Sequence, residues 1–522
     1  MKTVKNKWPG ALILIVLILL MNMPAVSDTL TILHANDFHG RYMPFEVAPG
    51  SATSQTGDPG GENSFEFKHH GVVGGLAVMA AAVDSIRKKH GKENVLLVHA
   101  GDTYSDDLLG NITKGEAMVR LMNKLGFDFM AFGNHDFDYT LERTRELQEM
   151  ANFPMRAANI IEKGKPIFGD PVAIVEKAGI KVGLLALGYH NTPLTTNPEN
   201  VKALKFINGI DVAQQYVDDL HKQADIVVVV SHQGTKADEM LLKKVNGIDV
   251  LIGGHSHDEI AESEQGAMAQ SLADAAVLGE INIILENGRI QEVKAKNHVL
   301  WDSQFGADPQ IARFIDSLRA PFLDTLEMVV GTATERIERN YMSESPFDKL
   351  VGNILREKEN SEIALLTGVG YGISIPKGKI TREQVYTLIP HSSKIVTLQL
   401  SGKQILKTLE QSAWNIEPQN PMDIVGGLIQ TSGMKSSIDF NQPRGKRISA
   451  VEVGGQPLEP KRLYSVVTHS GILAGAHRYN EIAKGKNIIK KNEQLNEAIV
   501  NAFKQMGTVS PPELGDVNRI EK

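Results

Sequence analysis

Phe129-Met130-Ala131-Phe132-Gly133-Asn134-His135-Asp136 passes from four apolar residues, through a glycine, into three side chains that can hold a metal or move a proton. The same transition recurs along the first half of the chain. Residues 30–34 (LTILH) lead into Ala35-Asn36-Asp37, and residues 94–98 (NVLLV) into His99-Ala100-Gly101-Asp102. Residues 226–230 (IVVVV) lead into Ser231-His232, and residues 249–252 (DVLI) into Gly253-Gly254-His255-Ser256-His257. Short, largely apolar runs, several rich in β-branched residues, fit strands buried in the middle of a layered α/β domain. Amphipathic helical stretches separate several of them, among them 75–89 and 114–125. Five strand ends therefore deliver Asp, Asn or His into polar loops, and loops at that end of an α/β sheet are where ligands bind.

Asp37 and His39 have i, i+2 spacing, as do His255 and His257, so each pair can point one way off a strand end. With Asp102, Asn134 and His232 they make seven oxygen or nitrogen donors. Two metal ions need about that many protein ligands, with water completing the shells. A carboxylate can bridge two cations ~3.5–4 Å apart, and a water between them loses a proton near neutral pH and becomes a nucleophile. Asp102, central in order and alone in its loop, suits the bridge. The chain has no cysteine, so thiolate ligands and disulfides are excluded. An oxygen and imidazole donor set suits Mn, Zn, Fe or Mg. Other polar residues nearby read as structural: His34 as a packed strand residue, His99 as core or outer support, His69 and His70 as solvated, Asp136 as a loop or helix-cap carboxylate.

At 522 residues the chain is long enough for two domains. A net charge of -7 without a long basic run argues against tracking a nucleic-acid polymer. A small phosphorylated substrate remains open, because bound metal supplies positive charge. Lys2, Lys5 and Lys7, the apolar residues 11–21 and Ala25-Val26-Ser27 read as an export signal over 1–27, which predicts a periplasmic or secreted protein. No later run approaches the ~20 apolar residues of a membrane span, so none is expected after cleavage. Residues 45–70 read as a long surface loop. Residues 308–328 turn helical around Pro321, and beyond them the strand-like runs alternate more (395–400, 448–453, 463–467). The expected organisation is a metal-binding unit over 28–305, a helical linker over 306–328 and a second α/β domain over 329–522.

The motifs Asp37-x-His39, Gly101-Asp102, Gly133-Asn134-His135-Asp136, Ser231-His232 and Gly254-His255-Ser256-His257 resemble the calcineurin-like metallophosphoesterase signature. More closely, nearly the whole mature chain resembles the exported 5′-nucleotidase family. The resemblance implies a layered β-sandwich flanked by helices, a helical linker and an α/β substrate-binding domain. It implies two divalent ions, one on Asp37, His39, Asp102 and His257, the other on Asp102, Asn134, His232 and His255. The family often has Gln in place of His257. His135 and Asp138 match its catalytic dyad: the imidazole beside the transferring phosphoryl group, the carboxylate orienting it.

The second domain departs from the family. Thr367 stands for an asparagine, Gly372 and Ser343 for two arginines, and Leu428 for a base-stacking aromatic. The second aromatic is lost within Thr468-His469-Ser470-Gly471-Ile472. Loss of stacking rings and guanidinium forks should weaken binding of ordinary nucleoside monophosphates. Leu428, Arg478 and Tyr479 are the candidate replacement contacts, although His477 and Arg478 also read as a solvated turn. Residues 344–351 (ESPFDKLV) resemble instead the thiosulfohydrolase of bacterial sulfur oxidation. The expected activity is hydrolysis of nucleotides or related phosphoesters, as a 5′-nucleotidase or 2′,3′-cyclic phosphodiesterase. The alternatives are sulfur-bond hydrolysis on a carrier protein and a non-catalytic, metal-containing binding protein.

Overall fold

Alternate residues of the strand Ser27–Ala35 serve two different cores: Leu30 and Ile32 pack on one face, Leu33 and Ala35 on the other. Val95–His99 repeats the division, with Leu96 and Val98 on the first face and Val95 and Leu97 on the second. Burial on both faces is why these strands read as continuous apolar runs. The computed structural model describes residues 27–49, 65–105, 107–261, 268–286 and 288–520. Nearly all of the expected export signal, and most of the expected loop at 45–70, lie outside them.

Two six-stranded sheets face each other. The first runs Arg289–Val299, Val277–Glu286, Ser27–Ala35, Val95–His99, Phe129–Ala131, Met155–Arg156. The second runs Glu259–Ile260, Met268–Ser271, Val250–Ile252, Ile226–Ser231, Ile180–Leu187, Val172–Lys177. Leu30, Ile32, Leu96, Val98 and Phe129 of the first sheet meet Val182, Leu184, Val228, Val230 and Ile252 of the second in a dry layer. Helices cover the outer faces, Leu76–His90 and Glu116–Leu125 on the first sheet, Ile210–Leu220 and Thr235–Lys244 on the second. Ser27–Ala35, Val95–His99 and Phe129–Ala131 are mutually parallel, as are Ile180–Leu187, Ile226–Ser231 and Val250–Ile252. The helix expected over 114–125 begins only at Glu116. Lys114 (φ 49°) and Gly115 (φ 83°) are left-handed and end a separate helix, Leu108–Thr113.

Beyond the helices Pro309–Arg319 and Leu323–Leu326 lies a second α/β unit. Its main sheet runs Gly427–Ser432, Ile363–Gly368, Leu463–His469, Lys394–Ser401, Lys486–Gln494. Ala364 and Leu366 face the helices Pro346–Glu359 and Leu495–Met506, whereas Ile363 and Leu365 face Gly402–Ile416. The protein thus has two α/β domains, the first a helix-flanked sandwich. Among the described residues no helix is long and apolar enough to cross a membrane.

Candidate active site

The parallel strands end along one rim of the sandwich, and the loops that follow carry all seven donors. Asp37 (φ 51°), His39 (47°), Asp102 (55°), His255 (76°) and His257 (57°) have left-handed backbones, an unfavourable region for side chains other than glycine. Such strain persists only where surrounding contacts over-determine it. Here the loops are laced together: Asp37 N–H donates to the Gly101 carbonyl (2.9 Å), His39 N–H to that of Asp102 (3.0 Å), and His255 N–H to Asp37 Oδ2 (2.9 Å). Gly133 allows the closest approach, since a Cβ there would lie 2.1 Å from Asp102 Oδ1.

Ligand-type atoms of Asp37, His39 and His257 lie within 4.8 Å of one another, and so do those of Asp102, His232 and His255. The two groups adjoin: His232 Nε2 is 3.0 Å from Asp102 Oδ2 and 3.8 Å from Asp37 Oδ1. Asn134 belongs to the same buried region and lines the cavity beside it. Burial would raise the Asp37 and Asp102 carboxyls, but the facing imidazoles (His257 and His232 at Asp37, His232 and His135 at Asp102) hold both below the usual carboxylate range. Burial pulls His232 down, yet Asp102 and Asp37 outweigh it and lift it to about 9.

The donor set fits cations. Asn134 Oδ1 is buried without a hydrogen bond, and Asp37 Oδ1 and His232 Nε2 meet other ligand-type atoms, His257 Nε2 at 3.2 Å and Asp102 Oδ2 at 3.0 Å. Nitrogen and oxygen atoms crowded together in this way are what ligands converging on a shared centre look like. His39 Nε2 and His257 Nε2 are 2.9 Å apart. The supports also fit. His232 Nδ1 donates to the Ala100 carbonyl (2.6 Å), which orients Nε2 toward the carboxylates. Tyr189 stacks on His255 with ring centroids 3.8 Å apart.

His135 Nδ1 lies 2.7 Å from Asp138 Oδ2. Thr196 Oγ1 and Ser105 Oγ donate to the same carboxylate at 2.5 and 3.3 Å, so its orientation is set from three directions. Asp136 has a larger structural part than a cap. It accepts from the backbone N–H of Asp102 (3.1 Å), Thr103 (2.8 Å) and Gly133 (2.8 Å), tying two ligand loops together. His34 is buried against Gly279, and His99 packs on Phe38 (4.2 Å between rings) while accepting from Gly101 N–H.

A cavity of about 440 Å³ opens over these groups, walled on its far side by the second domain. The proposed replacement contacts do not line it. Leu428 and Tyr479 are buried in the second domain's core, because their apolar bodies complete the sheet–helix packing. The Arg478 guanidinium donates instead to the Asp423 carbonyl (2.7 Å). Tyr371, His391, His469 and His477 line the cavity in their place. His391 stacks on His135 (5.3 Å, 6° between planes) with Nδ1 3.6 Å from Asp138 Oδ2. His477 is not part of a solvated turn: it is buried, at φ 51°, against Gly426. No spacing rule marks these residues, which sit on different segments of the second domain. Residues 344–351 stay away from the cavity and serve the domain itself, Ser345 capping the helix Pro346–Glu359 and Lys349 pairing with Glu344 at 2.7 Å.

Residues 30–259 match the calcineurin-like phosphoesterase family, and residues 329–484 the 5′-nucleotidase C-terminal domain. The snake venom 5′-nucleotidase of Naja atra is 28% identical over 93% of this chain and 97% of its own length. A 5′-nucleotidase precursor from Thermus thermophilus superposes with a TM-score of 0.82 at 25% identity, over 95% of this chain and all of that one. The sulfate thiohydrolase SoxB of Thermus thermophilus shares the fold, with a TM-score of 0.84 at 22% identity over 96% and 98% of the two chains. Two adjoining buried His/Asp clusters on a phosphoesterase sandwich, joined to this second domain, place the chain in the 5′-nucleotidase family of metallophosphoesterase hydrolases.

Proposed function

We propose that the protein is an exported phosphoesterase that hydrolyses nucleotides or related small phosphoesters with two divalent ions, drawn from Mn, Zn, Fe or Mg. The observation that carries this reading is the pair of adjoining buried clusters beneath the His135–Asp138 dyad. Asp37, His39, Asp102 and His257 would hold one ion, and Asp102, Asn134, His232 and His255 the other. Bound there, the ions would neutralise the phosphoryl oxygens and acidify an attacking water.

The chain's own residues do the rest. Asp138 holds the Nδ1 proton of His135, so the proton passed to the leaving oxygen moves at Nε2. The laced loops keep Asp37 and Asp102 fixed and ionised, which spares reorganisation during the reaction. The second domain closes the cavity and brings Tyr371 and His391 to the dyad. In this reading residues 1–27 direct export to the periplasm or medium, 28–305 carry the metals, 306–328 link, and 329–522 bind the organic part of the substrate. The venom relative fits an exported chain.

The test is phosphate release by the purified chain with Mn or Zn. The panel holds nucleoside 5′- and 3′-monophosphates, 2′,3′-cyclic nucleotides and an aryl phosphate. Turnover that falls at least ~100-fold in both Asp102→Ala and His135→Ala supports the reading. No turnover with any metal sinks it, and would move attention to sulfur-bond hydrolysis on a carrier protein or to binding without catalysis.

A further inference from the structure

The far wall of the cavity has an unusual chemistry for a site that must seat a phosphorylated compound. Among the described residues lining it there is no arginine, and Lys490 is the single lysine. There is no phenylalanine or tryptophan. Of the tyrosines, Tyr371 already meets His39, His135 and His391, with ring centroids 5.3–5.7 Å away. The wall therefore offers no guanidinium fork for a second anionic group, and its tyrosine rings are Tyr341 and the already engaged Tyr371.

It offers neutral imidazoles and hydroxyls. Burial pulls His469 down to about 4 and His477 to about 3, so both are uncharged at neutral pH. His469 Nε2 lies 3.3 Å from Thr367 Oγ1. His477 packs its Nδ1 edge on Gly426, where a Cβ would lie 2.1 Å away, and that nitrogen is buried without a partner. Nε2 is then the His477 atom that can face a ligand. A neutral imidazole and a hydroxyl each offer a donor and an acceptor, so they complement an alcohol and discriminate poorly among anions.

Resting on the phosphoesterase reading above, we infer that this wall binds the uncharged, hydroxyl-bearing half of a sugar or polyol phosphate, with His469 and His477 as specificity-determining residues. The phosphate end lies over the Asp37–Asp102 clusters and the carbon chain reaches toward the second domain.

Ribose 5-phosphate and adenosine 5′-monophosphate separate the two possibilities, since they differ by the base. With the full chain loaded with Mn or Zn, kcat/KM for ribose 5-phosphate should equal or exceed that for the nucleotide. His469→Leu and His477→Leu should each lower the ratio of ribose 5-phosphate to aryl phosphate kcat/KM about tenfold, chiefly through KM, and His469→Gln should recover part of the loss. A nucleotide preference of about tenfold or more, the gain expected from base stacking, overturns the inference. So does an unchanged ratio in both leucine variants. If either variant fails to fold, the wild-type comparison decides. Aryl phosphate turnover by the wild type separates the two levels: with it, an adverse result removes only this inference, and without it the phosphoesterase reading falls first.

Discussion

At the scale of single residues, the proposed ligands are held in a costly arrangement. Five of the seven sit at positive φ, and each such residue costs on the order of 1–3 kcal/mol. Asn134 Oδ1 adds a buried atom without a hydrogen bond, a further penalty of roughly 1–3 kcal/mol, and Asp37 and Asp102 crowd two buried carboxylates beside it. Cations that satisfy those atoms should therefore stabilise the fold as well as serve the reaction. Exhaustive chelation is expected to lower the thermal midpoint by several degrees, and Mn or Zn should restore it. Calorimetry with and without metal reads this directly, and equal midpoints would mean that the cluster is not a metal site. Gly133→Ala should abolish the metal-dependent rise, because its methyl group would collide with Asp102 Oδ1.

At the scale of elements, strands position the site and neighbouring strands hold one another. Glu280, on Val277–Glu286, accepts from His298 Nε2 (2.7 Å), Asn282 Nδ2 (2.8 Å) and Lys296 Nζ (3.2 Å). Burial would raise its carboxyl, but these bonds win and hold it down at about 2. The folded pKa is thus below the unfolded value of about 4.3. Its stabilisation is complete above that value and is lost as the pH falls from about 4 toward 2. Glu280→Gln should flatten the acid side of the unfolding-midpoint profile between about pH 4 and about 2 relative to wild type. Parallel profiles would contradict the assignment. The helix end at Lys114-Gly115 belongs to this scale too. The apolar spacing runs through both residues, and only their left-handed backbones break the helix.

At the scale of the molecule, the two domains meet through buried polar contacts around the helix Pro309–Arg319. Arg319, at the end of Pro309–Arg319, donates to Tyr42 Oη (2.6 Å) in the first domain and to Glu383 Oε1 (2.7 Å) in the second, and Tyr42 donates to the same carboxylate (2.6 Å). Asn111 donates to the Pro390 carbonyl (2.9 Å), beside His391, and Tyr189 to that of Ile424 (2.9 Å). Arg319→Met leaves Glu383 without its cation and should cost about 2–3 kcal/mol in urea unfolding. A loss below about 0.5 kcal/mol would show that the contact does not hold the domains.

The sequence by itself determined the two-domain α/β architecture, the apolar runs that become the sandwich strands, and the side chains that gather at their ends. It could do so because burial on both faces and the i, i+2 spacing of Asp37-x-His39 and His255-x-His257 leave local patterns. Only the tertiary structure decided which groups line the cavity. Leu428 and Tyr479 are apolar enough to fill a core and do so, while Arg478 reaches a nearer carbonyl. His391, His469 and His477 sit on different segments of the second domain and come to line the cavity over the first domain's ligand loops only when the two domains pack, and no periodicity along the chain records a meeting made by packing in space.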